Sequence, residues 1–278
     1  MAISSFHTHV IGAERPVGRH LSRVLAEQNL IHRGVSIAST ERPMLQSSAR
    51  PVYVITPALN DVSDIDAAKF WIERAREEGA LILLISTLHR YRGNVGSVNE
   101  GMEADNDSEL SEAFAELESM VAENPQHIIL RVGQVLTLDG TDFASHILSH
   151  IRSEPLLALD MQKEFEPTPV DDIAVVILAI LRQVNLADEL WGTYHFSGVE
   201  AVSSYTFAEA LLAEARQFED LTAVDLTTQE GSMMPGIWSP VAEHIALFHT
   251  FGIKNKPWRQ GLARLVRDYY HDPVAEQA

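Results

Sequence analysis

The stretch GAERPVGRHL begins at Gly12 and places a second glycine, Gly18, six positions further on. Gly12 follows an apolar run that predicts a strand over Phe6–Ile11, and Val17 opens a predicted helix. A glycine-rich turn between a strand and a helix is the setting in which backbone N–H groups and the helix dipole bind the pyrophosphate of a dinucleotide. The pattern therefore indicates a candidate dinucleotide site near the start of the chain.

Two residues of this stretch depart from a complete G-x-x-G-x-x-G loop. Arg15 stands where the middle glycine lets the backbone approach the phosphates, and Pro16 lacks an N–H donor. The stretch fits either a strand–turn–helix that binds nothing or a modified phosphate site in which Arg15 makes a charge-assisted contact. After the next predicted strand, Glu41 could accept from a ribose hydroxyl, or Arg42 could pair with a 2′-phosphate. NAD and NADP therefore both stay open.

Other kinds of chemistry find little support in the sequence. The absence of cysteine excludes a disulfide framework, a thiolate nucleophile and a cysteine-based zinc site. The 12 histidines are scattered without carboxylates at ligand spacing, so we predict no metal site. The net charge of −18 disfavours nucleic acid and anionic membranes as partners. The longest apolar runs are too short to span a bilayer, and the first residues lack a signal-peptide pattern, so we expect a cytoplasmic protein.

Short apolar runs alternate with helix-like stretches in the first half of the chain. This alternation predicts an α/β protein with a doubly wound parallel sheet, and the less regular second half contains further predicted helices. The predicted strands span Phe6–Ile11, Val35–Ser39, Val52–Ile55, Leu81–Ser86 and Ile128–Val132. The predicted helices span Val17–Gln28, Asp64–Glu78, Ser108–Glu123, Phe143–Ile151, Val170–Arg182, Tyr205–Gln217 and residues 257–270.

The segment ISTLHRYRG, residues 85–93, resembles the I-S-T-D-Y-V-F-D-G segment of the RmlD family. This family comprises the dTDP-4-dehydrorhamnose reductases, which are extended short-chain dehydrogenases. Five further segments resemble the family in the family's order: GAERPVGRHL, LRVGQV with GTDF, PTPVDDIA, GTYHFSGVEAVSSYTFAEAL and FGIKNKPWRQGL. Six segments in order form a specific resemblance, which covers nearly the whole chain.

The resemblance implies a Rossmann-like domain for NAD or NADP over residues 1–135 and a smaller α/β lobe for a nucleotide sugar over residues 136–278. Residues 165–185 are expected to return and pack on the first domain. The family's chemistry uses a Tyr-x-x-x-Lys pair on the helix after the fourth strand, with a Ser or Thr on that strand to orient the carbonyl. Thr87 stands at the Ser or Thr position. The candidate cofactor-binding residues are Gly12, Arg15, Val17, Gly18, Arg42 and Thr87.

The Tyr-x-x-x-Lys pair is missing from this sequence. Counted back from Glu118, which matches the glutamate of the family's Y-G-x-S-K-L-x-G-E pattern, the Tyr position is Leu110 and the Lys position is Phe114. Sliding the helix does not restore the pair, because no tyrosine lies between positions 91 and 194 and no lysine between positions 69 and 163. Leu and Phe cannot transfer a proton, and a positioned general acid is worth about 10²–10⁴-fold in rate. Of the three catalytic residues that the resemblance implies, Thr87 alone remains.

The predicted helix 108–123 instead carries an apolar stripe. Leu110, Phe114, Leu117 and Val121 follow one another at helical spacing. We expect this stripe to pack against the sheet of its own chain, against a second copy or another protein, or into a filled pocket.

The candidate substrate-binding residues of the C-terminal lobe are Gln134, Pro167 and Thr168. Gln134 stands where the family has Trp, whereas Pro167 and Thr168 match the family. The sequence favours a family member that has lost catalysis and binds a nucleotide or nucleotide sugar, or serves a regulatory role. The alternative is an active NAD(P)-dependent reductase or epimerase of a nucleotide sugar whose acid has moved to His89 or Tyr91. The resemblance implies NAD or NADP as cofactor, and Arg15 argues against both.

Overall fold

The computed structural model of the protein describes residues 7–41, 50–91, 96–105, 108–187, 189–230 and 240–271. The strands are β1 (His7–Ile11), β2 (His32–Val35), β3 (Pro51–Ile55), β4 (Leu81–Thr87), β5 (His127–Val132), β6 (Gln134–Leu136), β7 (Leu156–Leu159), β8 (Glu164–Phe165), β9 (Pro167–Pro169), β10 (Gly192–Phe196), β11 (Val202–Ser203) and β12 (Asp225–Thr228). The helices are α1 (Pro16–Glu27), α2 (Ile65–Glu77), α3 (Glu109–Ala122), α4 (Phe143–Ser153), α5 (Val170–Val184), α6 (Ser204–Ala215), α7 (Ile245–Phe251) and α8 (Trp258–His271). A 3₁₀ turn, Leu88–Tyr91, follows β4.

Six of these strands form one sheet in the order β10-β5-β4-β3-β1-β2, and all five pairings in it are parallel. Every residue of β4 is buried, as expected for a central strand covered on both faces. Helices α1 and α5 lie together on one face, whereas α2 and α3 cover the other. This arrangement confirms the predicted doubly wound α/β fold.

Strand β10 differs from the sequence prediction. Its sequence, GTYHF, is not among the predicted strands, yet it pairs with β5 and completes the sheet. A glycine, a threonine and a histidine in five residues leave little apolar pattern, so periodicity gives no strand signal here. The segment assigned to the smaller lobe therefore contributes the sixth strand of the main sheet.

Strand β2 is displaced from its predicted position. The prediction covered Val35–Ser39, whereas the strand ends at Val35. Beyond it, the N–H of Ile37 donates to the carboxylate of Glu14, and the carbonyl of Ile37 accepts from the indole of Trp71. These side chains take the backbone groups that a longer strand would use in the ladder.

The smaller lobe is built from three two-stranded pairs, β6 with β9, β7 with β12 and β8 with β11, and from helices that include α4 and α6. Its core centres on an aromatic cluster of Phe143, Phe165, Phe207 and Trp258, whose adjacent ring centroids lie 5.4–5.9 Å apart. Within the described part of the chain, no helix combines the length and the apolar character needed to cross a membrane.

Candidate functional site

The two glycines of the first loop are required by close packing. Gly12 has φ +84°, and a Cβ on it would lie 2.3 Å from the carbonyl oxygen of Thr56. A Cβ on Gly18 would lie 2.1 Å from the carbonyl oxygen of Gly12. The hydroxyl of Thr56 donates to the carbonyls of Ile11 and Gly12 and fixes the turn from β3. Both glycines are therefore explained by the fold, whatever the loop binds.

Arg15 reaches across the loop to the start of α2. One of its terminal nitrogens lies 2.5 Å from a carboxylate oxygen of Asp64, and the other oxygen of Asp64 accepts from the N–H of Ala58 at 2.8 Å. The hydrogen bond with Asp64 raises the pKa of the Arg15 guanidinium above its ordinary value. Its positive charge is thus compensated within the chain.

Glu14 is anchored at the carboxyl end of β2. Its carboxylate accepts from the N–H of Ile37 and from the hydroxyl of Ser36, both at 2.9 Å. In a dinucleotide fold, an acidic residue at the end of this strand binds the ribose hydroxyl. Here that end of the strand is taken by a side chain of the glycine loop itself.

The described residues of the loop do not fit a dinucleotide. The fingerprint needs a small residue at its middle position and unengaged N–H groups toward the pyrophosphate. In this loop Arg15 is large, its N–H donates to the carbonyl of Gly12 at 2.9 Å, and Pro16 has no N–H. The proposed ribose contact Glu41 is exposed, and its N–H donates to the hydroxyl of Ser39. Arg42 lies outside the described residues.

A cleft of about 270 Å³ opens beside this loop, above the ends of the parallel strands. Its lining includes Arg15 and Val17 from the loop, Thr87 and His89 from the end of β4, and Gln134 from β6. The hydroxyl of Thr87 accepts from the N–H of His89 at 3.2 Å. The structure therefore brings these five predicted site residues to one cleft, and their roles in binding stay predictions.

Pro167 and Thr168 are not among the residues that line this cleft. Both are buried on β9, and the hydroxyl of Thr168 donates to the carbonyl of Glu166 and accepts from the N–H of Gly198. A Cβ on Gly133 would lie 2.7 Å from that hydroxyl. These residues join the lobe to the sheet, and their assignment as substrate contacts stays a prediction.

The apolar stripe of α3 packs against the sheet of its own chain. Phe114, Leu117 and Val121 are fully buried in the core between α3, α2 and the sheet, and Leu110 packs against the same core. Of the three coverings that the sequence left open, the structure thus shows the first. The stripe is not available as an interface for a second copy.

Glu118, the buried residue that follows Leu117 on α3, has charged partners inside the protein. It lies 2.7 Å from a terminal nitrogen of Arg131, forms an ion pair with Arg90 and accepts from the hydroxyl of Ser86. Burial alone would raise the pKa of Glu118, but the hydrogen bond from Arg131 and the charges of both arginines lower it below its ordinary value. This cluster is an internal brace between α3, β4 and β5.

Tyr91 belongs to the same cluster and not to the cleft. Its hydroxyl accepts from Arg131 at 2.5 Å and donates to the carbonyl of Met102 at 3.2 Å. Burial raises the pKa of Tyr91. Arg131 also lies 3.3 Å from the ring of His195, and burial together with Arg131 lowers the pKa of His195 to about 3. Of the two relocated acids that the sequence suggested, His89 alone lines the cleft.

Glu14 and Asp64 shape this site, although no pattern in the sequence points to them. Asp64 is 49 positions from Arg15, and its pairing depends on how the loop and α2 meet in space. No group of three or more potential metal ligands converges within the described ranges.

Comparisons with known proteins bear on this architecture. The RmlD substrate binding domain family matches residues 59–271, a range that begins after the glycine loop. The dTDP-4-dehydrorhamnose reductase of Aggregatibacter actinomycetemcomitans is 26% identical over 148 residues, which are 51% of this chain and 50% of that protein. The one of Sinorhizobium fredii (strain NBRC 101917 / NGR234) is 27% identical over 171 residues, 57% of this chain and 54% of that protein. The chain spans about half the length of the curated relatives it matches.

Solved structures share the fold over nearly the full length. The dTDP-4-dehydrorhamnose reductase of Clostridium acetobutylicum ATCC 824 superposes with a TM-score of 0.78 at 19% identity, covering 94% of this chain and 98% of that chain. The dTDP-4-dehydrorhamnose reductase of Bacillus anthracis str. Ames, solved in complex with NADP, gives 0.75 at 16% identity, covering 95% and 99%. With a family match over most of its length and this fold, the chain belongs to the RmlD substrate binding domain family of extended short-chain dehydrogenases.

Proposed function

We propose that this chain is a nucleotide-sugar-binding member of its family that does not carry out the reductase reaction. The observation that carries the proposal is the environment of Leu110 and Phe114, the positions where the resemblance places the Tyr and the Lys. Phe114 is fully buried in the core under α3, and Leu110 packs beside it. Neither side chain can move a proton, and neither lines the cleft.

Support for a nucleotide-sugar ligand comes from the family and from the cleft. The relatives named above act on a dTDP-linked sugar, as their names state. In this chain the cleft combines hydroxyl and amide groups, from Thr87, Thr137 and Gln134, with apolar surface from Val135 and Phe143. Sugar hydroxyls suit the polar groups, and a sugar ring or base suits the apolar surface.

The experiment has two readouts on the purified chain. Calorimetric titration with dTDP-glucose and UDP-glucose measures binding, and we expect a dissociation constant in the micromolar to millimolar range for at least one of them. Absorbance of NADPH with dTDP-4-dehydrorhamnose measures reduction, and we expect none above the rate without protein. Binding without turnover supports the proposal, whereas absence of binding to any nucleotide sugar contradicts it.

The active reductase is the competing function, and His89 is the residue to test for it. If NADPH is oxidised and His89→Gln lowers the rate by about 10²-fold or more, a relocated acid is present and the proposal fails. The control is His146→Gln on α4, which is not among the cleft-lining residues. This variant should leave turnover and binding unchanged.

A further inference from the structure

We propose that Glu14 and Arg15 occupy the dinucleotide site from within the chain, so that the cleft takes one ligand and no NAD or NADP. This inference goes beyond the loss of the Tyr and Lys positions, because a chain could lose proton transfer and still hold its cofactor. It rests on the glycine loop, which lies outside the range matched by the family.

The pyrophosphate half of the site is closed by Arg15. The side chain begins at the position where the fingerprint has its middle glycine, and the 2.5 Å contact with Asp64 holds it across the loop. A phosphate would have to displace Asp64 to use this guanidinium. The Asp64 side chain is only 5% exposed and also accepts from the N–H of Ala58, so it is held in place beside Arg15.

In the ribose half, Glu14 of the glycine loop lies at the end of β2, and its Oε1 accepts from two donors of the chain. Two hydrogen bonds of 2.9 Å hold its carboxylate at the end of β2, where the fingerprint binds the ribose of the adenosine. A carboxylate there repels the 2′-phosphate of NADP. It also accepts hydrogen bonds from the N–H of Ile37 and the hydroxyl of Ser36, so both donors are engaged within the chain.

The charge of the cleft acts in the same direction. Four carboxylates line it in the described part of the chain, those of Glu14, Asp61, Asp139 and Asp142, against the two guanidinium groups of Arg15 and Arg19. A nucleotide sugar and a dinucleotide each add at least two negative charges, so binding both would add at least four beside these carboxylates. The volume of about 270 Å³ lies just below the range of about 300–1,000 Å³ usual for the pocket of a single ligand, so the cleft has room for one ligand and not for a nucleotide sugar beside a dinucleotide.

The test is to reopen the site. We compare the wild-type chain with Glu14→Ala/Arg15→Gly, which removes both side chains and leaves the net charge unchanged. The matched control is Glu27→Ala/Arg33→Ala, which makes the same change in charge at exposed positions of α1 and β2. Binding of NAD, NADH, NADP and NADPH is measured by calorimetry, with the fluorescence of the reduced forms as a second signal.

We expect no saturable binding of wild type or control at 1 mM dinucleotide, roughly a thousand times a micromolar Kd, and at least a tenfold gain in affinity for one dinucleotide in the reopened variant. As a second variant, Asp64→Asn keeps the acceptor for Ala58 but frees the charge of Arg15, and we expect a smaller gain. Micromolar binding by the wild type overturns the inference, and so does a well-folded reopened variant that gains nothing. Wild type that binds NADPH without oxidising it would overturn this inference and leave the proposed function intact.

Discussion

The glycine loop and helix α3 depart in the same way from the family pattern that the sequence resembles. In the loop, Gly12 and Gly18 keep contacts that no other residue could make, whereas the middle position holds Arg15. In α3, Glu118 has buried charged partners, whereas the positions one and two turns earlier, where the resemblance places the Lys and the Tyr, are apolar. In both regions the residues that the packing requires agree with the pattern that the sequence resembles, and the positions at which that resemblance places cofactor approach and proton transfer depart from it. The comparison teaches that a short-chain dehydrogenase fold can be held by residues separable from its reaction.

The largest expected effect is the loss of the brace in α3. Glu118→Gln leaves Arg90 and Arg131 buried beside one another without their carboxylate, and we expect unfolding to become easier by about 3–5 kcal/mol. Glu116→Gln makes the same change two residues away in an exposed pair with Lys69 and should cost at most about 1 kcal/mol. Urea denaturation of both variants measures the difference. Equal losses would show that the buried cluster of Glu118 does not brace α3.

The next effect concerns pH, through His9 on the strand that leads into the loop. Burial, with the nearby His7, lowers the pKa of His9 to about 4. In the unfolded chain this histidine binds a proton below about pH 6.5, whereas in the folded chain it does so only below about pH 4. The free energy of unfolding is therefore highest above pH 6.5 and decreases as the pH falls from 6.5 to 4. The loss from His9 reaches about 3 kcal/mol. His9→Phe should flatten the dependence of the unfolding free energy on pH between 6.5 and 4, and an unchanged slope would contradict the assignment.

The packing of the loop can be tested by adding one methyl group. Gly18→Ala forces a Cβ against the backbone of Gly12, and we expect a loss of about 2–3 kcal/mol in the free energy of unfolding. The control is Gly101→Ala, where the nearest atom to an added Cβ is 3.5 Å away and the backbone is unstrained. That variant should change stability by less than about 0.5 kcal/mol. A tolerated Gly18→Ala would mean that the glycine is not needed for the fold.

The smallest effect is expected at Arg15. Its side chain is 36% exposed, and an ion pair so near water contributes little, so Arg15→Ala should cost about 1 kcal/mol or less by the same urea measurement. A loss as large as that of Gly18→Ala would place Arg15 among the residues that hold the fold. The contrast within the loop would then disappear.

The sequence predicts the parallel sheet because buried strands such as Leu81–Ser86 are short, apolar and separated by helix-length stretches. It also predicts the place of Thr87, since the end of a central strand lies at the edge where clefts form. Three features escape it for physical reasons. The polar sequence of β10 hides a strand, the position of β2 depends on side chains of the loop and α2, and the bond from Arg15 to Asp64 joins residues 49 positions apart. Sequence patterns indicate local secondary structure, whereas these contacts join residues that come together only when the chain folds.

The sixth strand of the sheet has a consequence for how the chain is made. Strand β10 pairs with one edge of β5, so the backbone groups of that edge stay unpaired during synthesis until some 60 further residues have been added. The sequence of β5, HIILRV, is largely apolar, and such an unpaired edge is a template for pairing with another chain. A fragment cut at residue 135 would carry that edge permanently. We therefore expect the fragment 1–135 to aggregate when expressed alone, and co-expression of the remainder to rescue it, as judged by the yield in the supernatant after centrifugation.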